Sequence, residues 1–180
     1  MCLFDDFVER AIADRVFVNV ERPNYETDGL MGILVQQSED FIELVKFDQT
    51  GEYDGLSIIR KDDVLSMRRG GNELSSFDRL LTDQTGIVQE GSVDLTSIRS
   101  VVESVFKQFG YVGVFQEEYD SAFDLGEVIA VDDDFVSISA YGTAKSLDRS
   151  KVLLRLDSIS RVDVDGKYEK SILEIFSTIE

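Results

Sequence analysis

The residues able to do acid–base or metal chemistry in this sequence are mainly carboxylates. The chain of 180 residues has no histidine and a single cysteine, Cys2, so a Ser–His or Cys–His nucleophile pair cannot form. The same inventory excludes an intrachain disulfide and a zinc site with Cys and His ligands. Acidic residues, in contrast, number 36 and often stand side by side. Catalysis would have to rest on carboxylates, lysine or tyrosine, and we expect no cofactor.

The densest acidic run is Asp132, Asp133 and Asp134, at a predicted turn. Carboxylate oxygens are the ligands that Ca²⁺ and Mg²⁺ prefer, so these three residues are the metal candidates. The alternative is a solvated hairpin loop, which is the interpretation we favour. Without acids brought together from other strands, the run alone predicts no catalytic residue.

The stretch DVDG, residues 163–166, invites comparison with a calcium loop of the EF-hand type. The comparison fails because Arg161 would occupy the first ligand position and Ile172 the twelfth. We interpret Asp165-Gly166 as a two-residue hairpin turn, matched earlier in the chain by Gly70-Gly71. Gly166 and Gly71 are therefore predicted to be structural.

The balance of charge is strongly acidic, with 18 basic residues and a formal net charge of −18. Such a field repels nucleic-acid phosphates and anionic lipid, and it favours a basic protein partner. The alternative is that the acidic surface serves solubility alone. The first ten residues lack the basic start of a signal peptide, and no apolar run approaches the roughly 18 residues of a membrane span. We expect a cytoplasmic protein.

The chain repeats itself at a spacing of 94 residues. Residues 7–59 align with residues 101–153 without a gap, and Gly32 and Gly126 are among nine identical pairs, where about three or four are expected by chance. The hydrophobic pattern is repeated as well. After one inserted residue the match resumes with Asp62 and Asp157. We infer a tandem duplication.

Each half begins with a helix and continues as short strands. Apolar residues recur at helical spacing in residues 4–12 and 98–109, and Gly110 is placed to end the second helix. Alternation of apolar and polar residues then predicts half-buried antiparallel strands. The predicted strands of the first half are 16–22, 29–37, 40–47 and two within 55–67. Those of the second half are 111–117, 124–131, 134–141 and two within 151–162.

The predicted fold class is mainly β with flanking helices (α+β), a tandem duplication of a helix plus a five-stranded, strongly bent antiparallel small β-barrel. Gly32 and Gly126 lie inside the second strand of each half, where glycine is typical of a bulge or sharp bend. A short helix closes each half, at 74–81 and 170–180. The predicted domains are 1–82 and 97–180, joined by a linker at 83–96 in which residues 86–89 are an alternative fifth strand.

The order of a helix, five short strands, a glycine in the second strand and an apolar–Arg–charged–Asp–apolar turn resembles the Sm-like (LSm-type) fold. The resemblance is carried by LMGILVQQSEDFIELVKF with GLSIIRKDDVLSM, and by DLGEVIAVDDDFVSISAY with KVLLRLDSISRV. It implies RNA binding by an Asp and an Asn after strand two and an Arg after strand four. It also implies rings in which strand four of one unit pairs with strand five of the next. The positions that match the RNA-binding residues are Glu39, Glu43 and Arg60 in the first half, and Asp133, Ser137 and Arg155 in the second.

These positions lack the amide, and a glutamate at position 43 would face phosphate and base acceptors with the wrong charge. Our leading hypothesis is therefore a non-enzymatic protein-interaction or assembly module that binds a basic protein or associates with itself through barrel edge strands, giving a homo-oligomer. RNA binding in the Sm-like manner is the alternative. A carboxylate-based, metal-dependent enzyme is the third.

Overall fold

The computed structural model of the chain describes residues 2–22, 29–71, 74, 76–77, 91, 93–116, 122–142 and 148–178. The chain divides into two compact units, Met1–Ser92 and Val93–Glu180. Their boundary falls inside the predicted linker. The described residues form ten strands and three α-helices, an antiparallel α+β fold.

The first unit begins with a helix whose apolar stripe determines its orientation. The thiol of Cys2 caps the first turn by accepting from the backbone N–H of Asp5, and Arg15 ends the helix in the left-handed region with φ 48°. The elements of this unit are α1 (Leu3–Asp14), β1 (Phe17–Glu21), β2 (Leu30–Gln37), β3 (Phe41–Phe47), β4 (Tyr53–Arg60), a short 3₁₀ helix (Lys61–Asp63) and β5 (Ser66–Arg69).

The strands of the first unit are ordered β5-β1-β2-β3-β4, and all paired neighbours are antiparallel. Val8 and Ala11 of α1 are fully buried against apolar side chains of the sheet, among them Val20, Leu34 and Ile42. Burying each such side chain contributes about 1.5–3 kcal/mol, so this layer is the main stabilising contact of the unit.

The second unit repeats this order of elements. The hydroxyl of Ser97 caps its helix by accepting from the N–H of Ser100, and Gly110 ends it with φ 81°, as predicted. The elements are α2 (Ile98–Phe109), β6 (Val112–Gln116), β7 (Ala122–Val131), β8 (Phe135–Ala140), β9 (Ser150–Arg155), a 3₁₀ helix (Leu156–Ser158), β10 (Ile159–Val164) and α3 (Lys167–Ser177). The strand order is β10-β6-β7-β8-β9, which corresponds position by position to that of the first unit.

Gly32 and Gly126 stand where two strands approach closely. A Cβ atom at Gly32 would overlap the carbonyl oxygen of Val45, and one at Gly126 would overlap that of Ser139. A shift in strand register follows two residues later in each unit, between Leu34 and Gln36 and between the corresponding residues of β7. The glycines therefore permit close approach, and the predicted bulges lie just after them.

The alignment of the two halves needs one correction. Phe41 lies opposite Arg60, and Phe135 lies opposite Arg155. Because the phenylalanines are 94 residues apart and the arginines 95, the extra residue of the second half lies before β9. The predicted gapless match as far as Leu153 is wrong at its end, and Leu153 corresponds to Ile58. Strand pairing fixes this register, whereas a short apolar run such as VLL aligns equally well one residue away.

The interpretation of Asp165-Gly166 as a hairpin turn is also wrong. Asp165 has φ 63°, and Gly166 precedes α3 directly, so this pair joins β10 to a helix instead of to another strand. Their counterparts Gly70 and Gly71 both have positive φ, which glycine adopts without steric cost, and the next described residue, Leu74, has helical backbone.

The segments predicted to close or connect the halves are described only in part. Leu74, Ser76 and Phe77 have helical backbone, and the other residues of 74–81 lie outside the described residues. Within the predicted linker, residues 83–90 and 92 lie outside them too, whereas Val93 and Leu95 are buried in the second unit. Residues 179 and 180 of the segment predicted to close the second half also lie outside the described residues. Among the described helices, none combines the length and apolarity needed to cross a membrane.

Candidate functional site

Each of the two arginines predicted for a ligand site lies over a phenylalanine ring. The guanidinium carbon of Arg60 lies 5.8 Å from the ring centre of Phe41, and that of Arg155 lies 5.4 Å from the ring centre of Phe135. In each unit the pair joins the start of the third strand to the end of the fourth, because these residues are opposite each other in the sheet. Each distance is within the range of a cation–π contact.

The first-unit pair is embedded among buried groups. Phe41 is buried, and Glu43 is 1% exposed and accepts a hydrogen bond of 2.6 Å from the amide of Gln36. Burial raises the pKa of Asp63, which the positive charges of Arg22 and Arg60 partly oppose. Glu39 instead lies exposed in the turn after β2. The structure thus brings Arg60 close to Phe41 but leaves Glu39 and Glu43 in different environments.

The second-unit pair is more open. Arg155 donates from Nε and Nη2 to the two carboxylate oxygens of Asp157, at 3.1 and 2.9 Å, and this contact raises the pKa of Arg155. Asp133 accepts at 2.6 Å from Arg99 of α2. Ser137 is half-buried and lies opposite Leu153 in the sheet. Arg155 thus contacts the Phe135 ring, whereas Asp133 is bonded to α2.

The acidic run at 132–134 forms a turn. The carboxylate of Asp132 accepts from the backbone N–H groups of Asp134 and Phe135 at 2.9 and 2.7 Å, and these bonds lower the pKa of Asp132. Asp133 is bonded to Arg99 as described above. In the described parts of the chain, no three acidic or cysteine side chains are grouped so that they could hold a metal ion.

β5 ends the described strand order of the first unit, and β9 ends that of the second. Each has one hydrogen-bonded neighbour, β1 for β5 and β8 for β9. Leu65, just before β5, is 69% exposed, and Leu153 in β9 is 66% exposed. An edge strand presents unpaired N–H and C=O groups, and exposed apolar side chains beside them favour the addition of another strand.

The outer faces of the two units differ. In the first unit Ile33, Val45 and Phe47 pack with Leu74 into an apolar cluster, and Ile58 is 1% exposed. Gly91 also lies against the side chain of Gln36 on this face. In the second unit the residues at the positions of Ile33, Val45 and Phe47 are half-buried, and one of them, Tyr141, packs against Phe176 with ring centres 5.1 Å apart, whereas other positions are exposed. The exposed members there are Ile129, Ala130 and Leu153.

The exposed face of β9 has a defined pattern of side chains. Lys151, Leu153 and Arg155 alternate along one side of the strand and are all exposed, whereas Leu154 points to the core and is buried. We refer to Lys151, Leu153 and Arg155 as the β9 edge. Sequence reasoning missed this site. The available signal was three successive apolar residues, 152–154, which cannot all face one core.

Comparisons of the chain with models of known protein families, with curated proteins and with solved structures gave no match.

Proposed function

We propose that this chain is a non-enzymatic protein-interaction module made of two duplicated Sm-like barrels, and that it binds a partner chain by adding a strand of the partner to β9. The observation that carries the proposal is the β9 edge, a six-residue strand with one neighbour and a largely exposed leucine. Backbone hydrogen bonds to the added strand would give affinity, and its side chains would give specificity.

The barrel assignment is supported by the order of elements. In each unit a helix precedes five strands, the fifth strand pairs with the first, and a 3₁₀ turn separates the fourth from the fifth. Gly32 and Gly126 occupy equivalent places in the second strand. These features fit the resemblance that the sequence suggests, and equal strand order in two units of one chain fits a duplication.

The β9 edge is a better docking strand than β5. β5 has four residues against six, and its arginines are already engaged, Arg68 with Glu21 at 3.7 Å and Arg69 with Asp14 at 3.3 Å. In β9, Arg155 is bonded to Asp157, but Lys151 has no ion pair with any described residue. A partner strand at β9 therefore displaces fewer existing contacts.

Capture of a partner with matched variants tests the proposal. The wild-type protein and the variants Leu153→Arg and Leu3→Arg are used as bait in a lysate of cells that express the protein. Leu3 is the control because it is 86% exposed and lies in α1, outside the β9 edge. We expect the partner to bind wild type and Leu3→Arg, and to be lost with Leu153→Arg.

Hydrogen exchange on the purified complex locates the contact. We expect the partner to slow exchange of β9 amides, since an added strand bonds to groups that were open, while the amides of β8 change little. Equal capture by both variants, or protection confined to surfaces other than β9, would exclude strand addition at this edge.

RNA binding is the second candidate, because the stacked Arg60–Phe41 and Arg155–Phe135 pairs recur in both units. Size-exclusion chromatography with light scattering, alone and with total RNA at low salt, separates the candidates. A ring-sized assembly that shifts with RNA would favour the nucleic-acid function. A species of unchanged mass favours the protein-binding function.

A further inference from the structure

We infer that the β9 edge selects an extended, acidic partner segment, in which one apolar residue is flanked two residues away on each side by a carboxylate. The inference rests on the proposed strand addition and names the chemistry of its partner. It reverses the expectation of a basic partner that the net charge of −18 suggests.

The spacing of the β9 edge defines the pattern. Lys151, Leu153 and Arg155 are two residues apart, so their side chains leave the same face of the strand. A strand paired with β9 places its own alternate side chains beside them, with Cβ atoms about 4.5–5.5 Å apart in directly opposed pairs. An apolar residue opposite Leu153 thus brings the residues at ±2 opposite the two cations.

Both cations can bind a carboxylate of the partner. Lys151 is exposed and has no ion pair within the described residues. The side chain of Arg155 is 56% exposed although it is bonded to Asp157, and these bonds use only two of the five N–H donors of its guanidinium. β8, the neighbour of β9, contributes no charge of its own, since its sequence is FVSISA.

Salt screening limits the effect of the net charge on this site, although Asp157 and Asp134 act on Arg155 at short range. The Debye length at physiological salt is about 8 Å, so acids farther away are largely screened, whereas Lys151 and Arg155 would be adjacent to the partner strand. The net charge slows the approach of an acidic segment at low salt without changing which residues it contacts once bound.

A second copy of this chain does not fit the pattern. In β5 of a second copy, Arg68 and Arg69 leave opposite faces, so one of them would lie on the face of Lys151 and Arg155, and β9 of a second copy would place its own Lys151 and Arg155 there. Like charges on adjacent strands are destabilising. The β9 edge is therefore expected to bind a different chain.

Selection from phage-displayed random peptides tests the inference. The targets are wild type, the double variant Lys151→Glu/Arg155→Glu, and the control Lys107→Glu, which reverses an exposed lysine on α2. We expect wild type and the control to enrich peptides with Asp or Glu at both flanking positions. The double variant should enrich Lys or Arg there and bind the acidic peptides at least about tenfold more weakly, as measured by fluorescence polarisation.

Circular dichroism verifies that the variants are folded, and Lys151→Glu alone provides a milder variant with the same expected direction. Basic flanking residues selected on wild type would overturn the inference. Peptides that require Leu153 but show no charge preference would overturn it too, and would leave strand addition in place. If no enriched peptide loses its binding when the target is Leu153→Arg, the proposed function itself is overturned.

Discussion

Truncation of two equivalent residues should have very different effects on stability. Ile58 in β4 and Leu153 in β9 occupy the same place in their units, two residues before the stacked arginine. Ile58 is 1% exposed and Leu153 is 66% exposed. Because stability follows the apolar area removed from water, Ile58→Ala should be much more destabilising than Leu153→Ala.

The magnitudes follow from these exposures. Removing the fully buried Ile58 side chain costs about 2–5 kcal/mol, including the cavity that it leaves. Leu153 has only about a third of its surface buried, so its removal costs roughly 0.5–1 kcal/mol, a third of the value for full burial. Since about 1 kcal/mol shifts the midpoint of a domain of this size by roughly 4–8 °C, Ile58→Ala should lower the midpoint of its unit by 10 °C or more.

Scanning calorimetry and urea unfolding of wild type and the two variants measure this difference. Leu3→Ala is the control for an exposed leucine and should leave the midpoint within about 2 °C of wild type. A loss with Leu153→Ala as large as that with Ile58→Ala would mean that Leu153 is covered in solution. The β9 edge would then not be an open docking site.

Three further predictions concern single residues. Gly126→Ala should cost about 1–3 kcal/mol in urea unfolding, because its Cβ would meet the carbonyl of Ser139, whereas Gly110→Asn, at an open left-handed position, should be tolerated. Burial and the hydrogen bond to Glu127 raise the pKa of Tyr141 to about 12, so its contribution to stability is complete below the ordinary pKa of 10 and is lost as pH rises towards 12. Burial also raises the pKa of Tyr111, so absorbance titration should show late phenols, of which Tyr141→Phe removes one. Burial also raises the pKa of Asp124, so stability from this group is present at acidic pH and lost as pH rises through its folded pKa. Asp124→Asn should therefore be more stable than wild type near about pH 7 and should have no advantage in acid. The same difference in urea midpoint at both pH values would refute this.

The helices and strands could be predicted from local pattern because the pattern is physical. The apolar stripe of α1 contains Val8 and Ala11, which are fully buried, and the glycine expected to end α2 adopts the left-handed conformation. Period-two alternation likewise located β3 and β8. Such signals come from residues that are only a few positions apart in the chain, so the sequence alone shows them.

The open edge could not be predicted in this way. Ile58 and Leu153 are both aliphatic residues in apolar runs, and only tertiary contacts determine that one is covered and the other is not. The burial of Glu43 was missed for the same reason, since its hydrogen bond to Gln36 joins two strands. Sequence reasoning placed this carboxylate at a ligand site because its position matches an RNA-binding position in the resemblance to the Sm-like fold.

The pairing of the fifth strand with the first delays folding of each unit during synthesis. Val18 of β1 lies opposite Arg69 of β5, and Val114 of β6 lies opposite Val162 of β10. At a synthesis rate of roughly 5–20 residues per second, about fifty residues take several seconds, and for that time the first strand of each unit has one side without its partner. β1 has only five residues and includes Asn19 and Glu21, and a strand this short offers few unpaired backbone groups to another chain while the fifth strand is still being made.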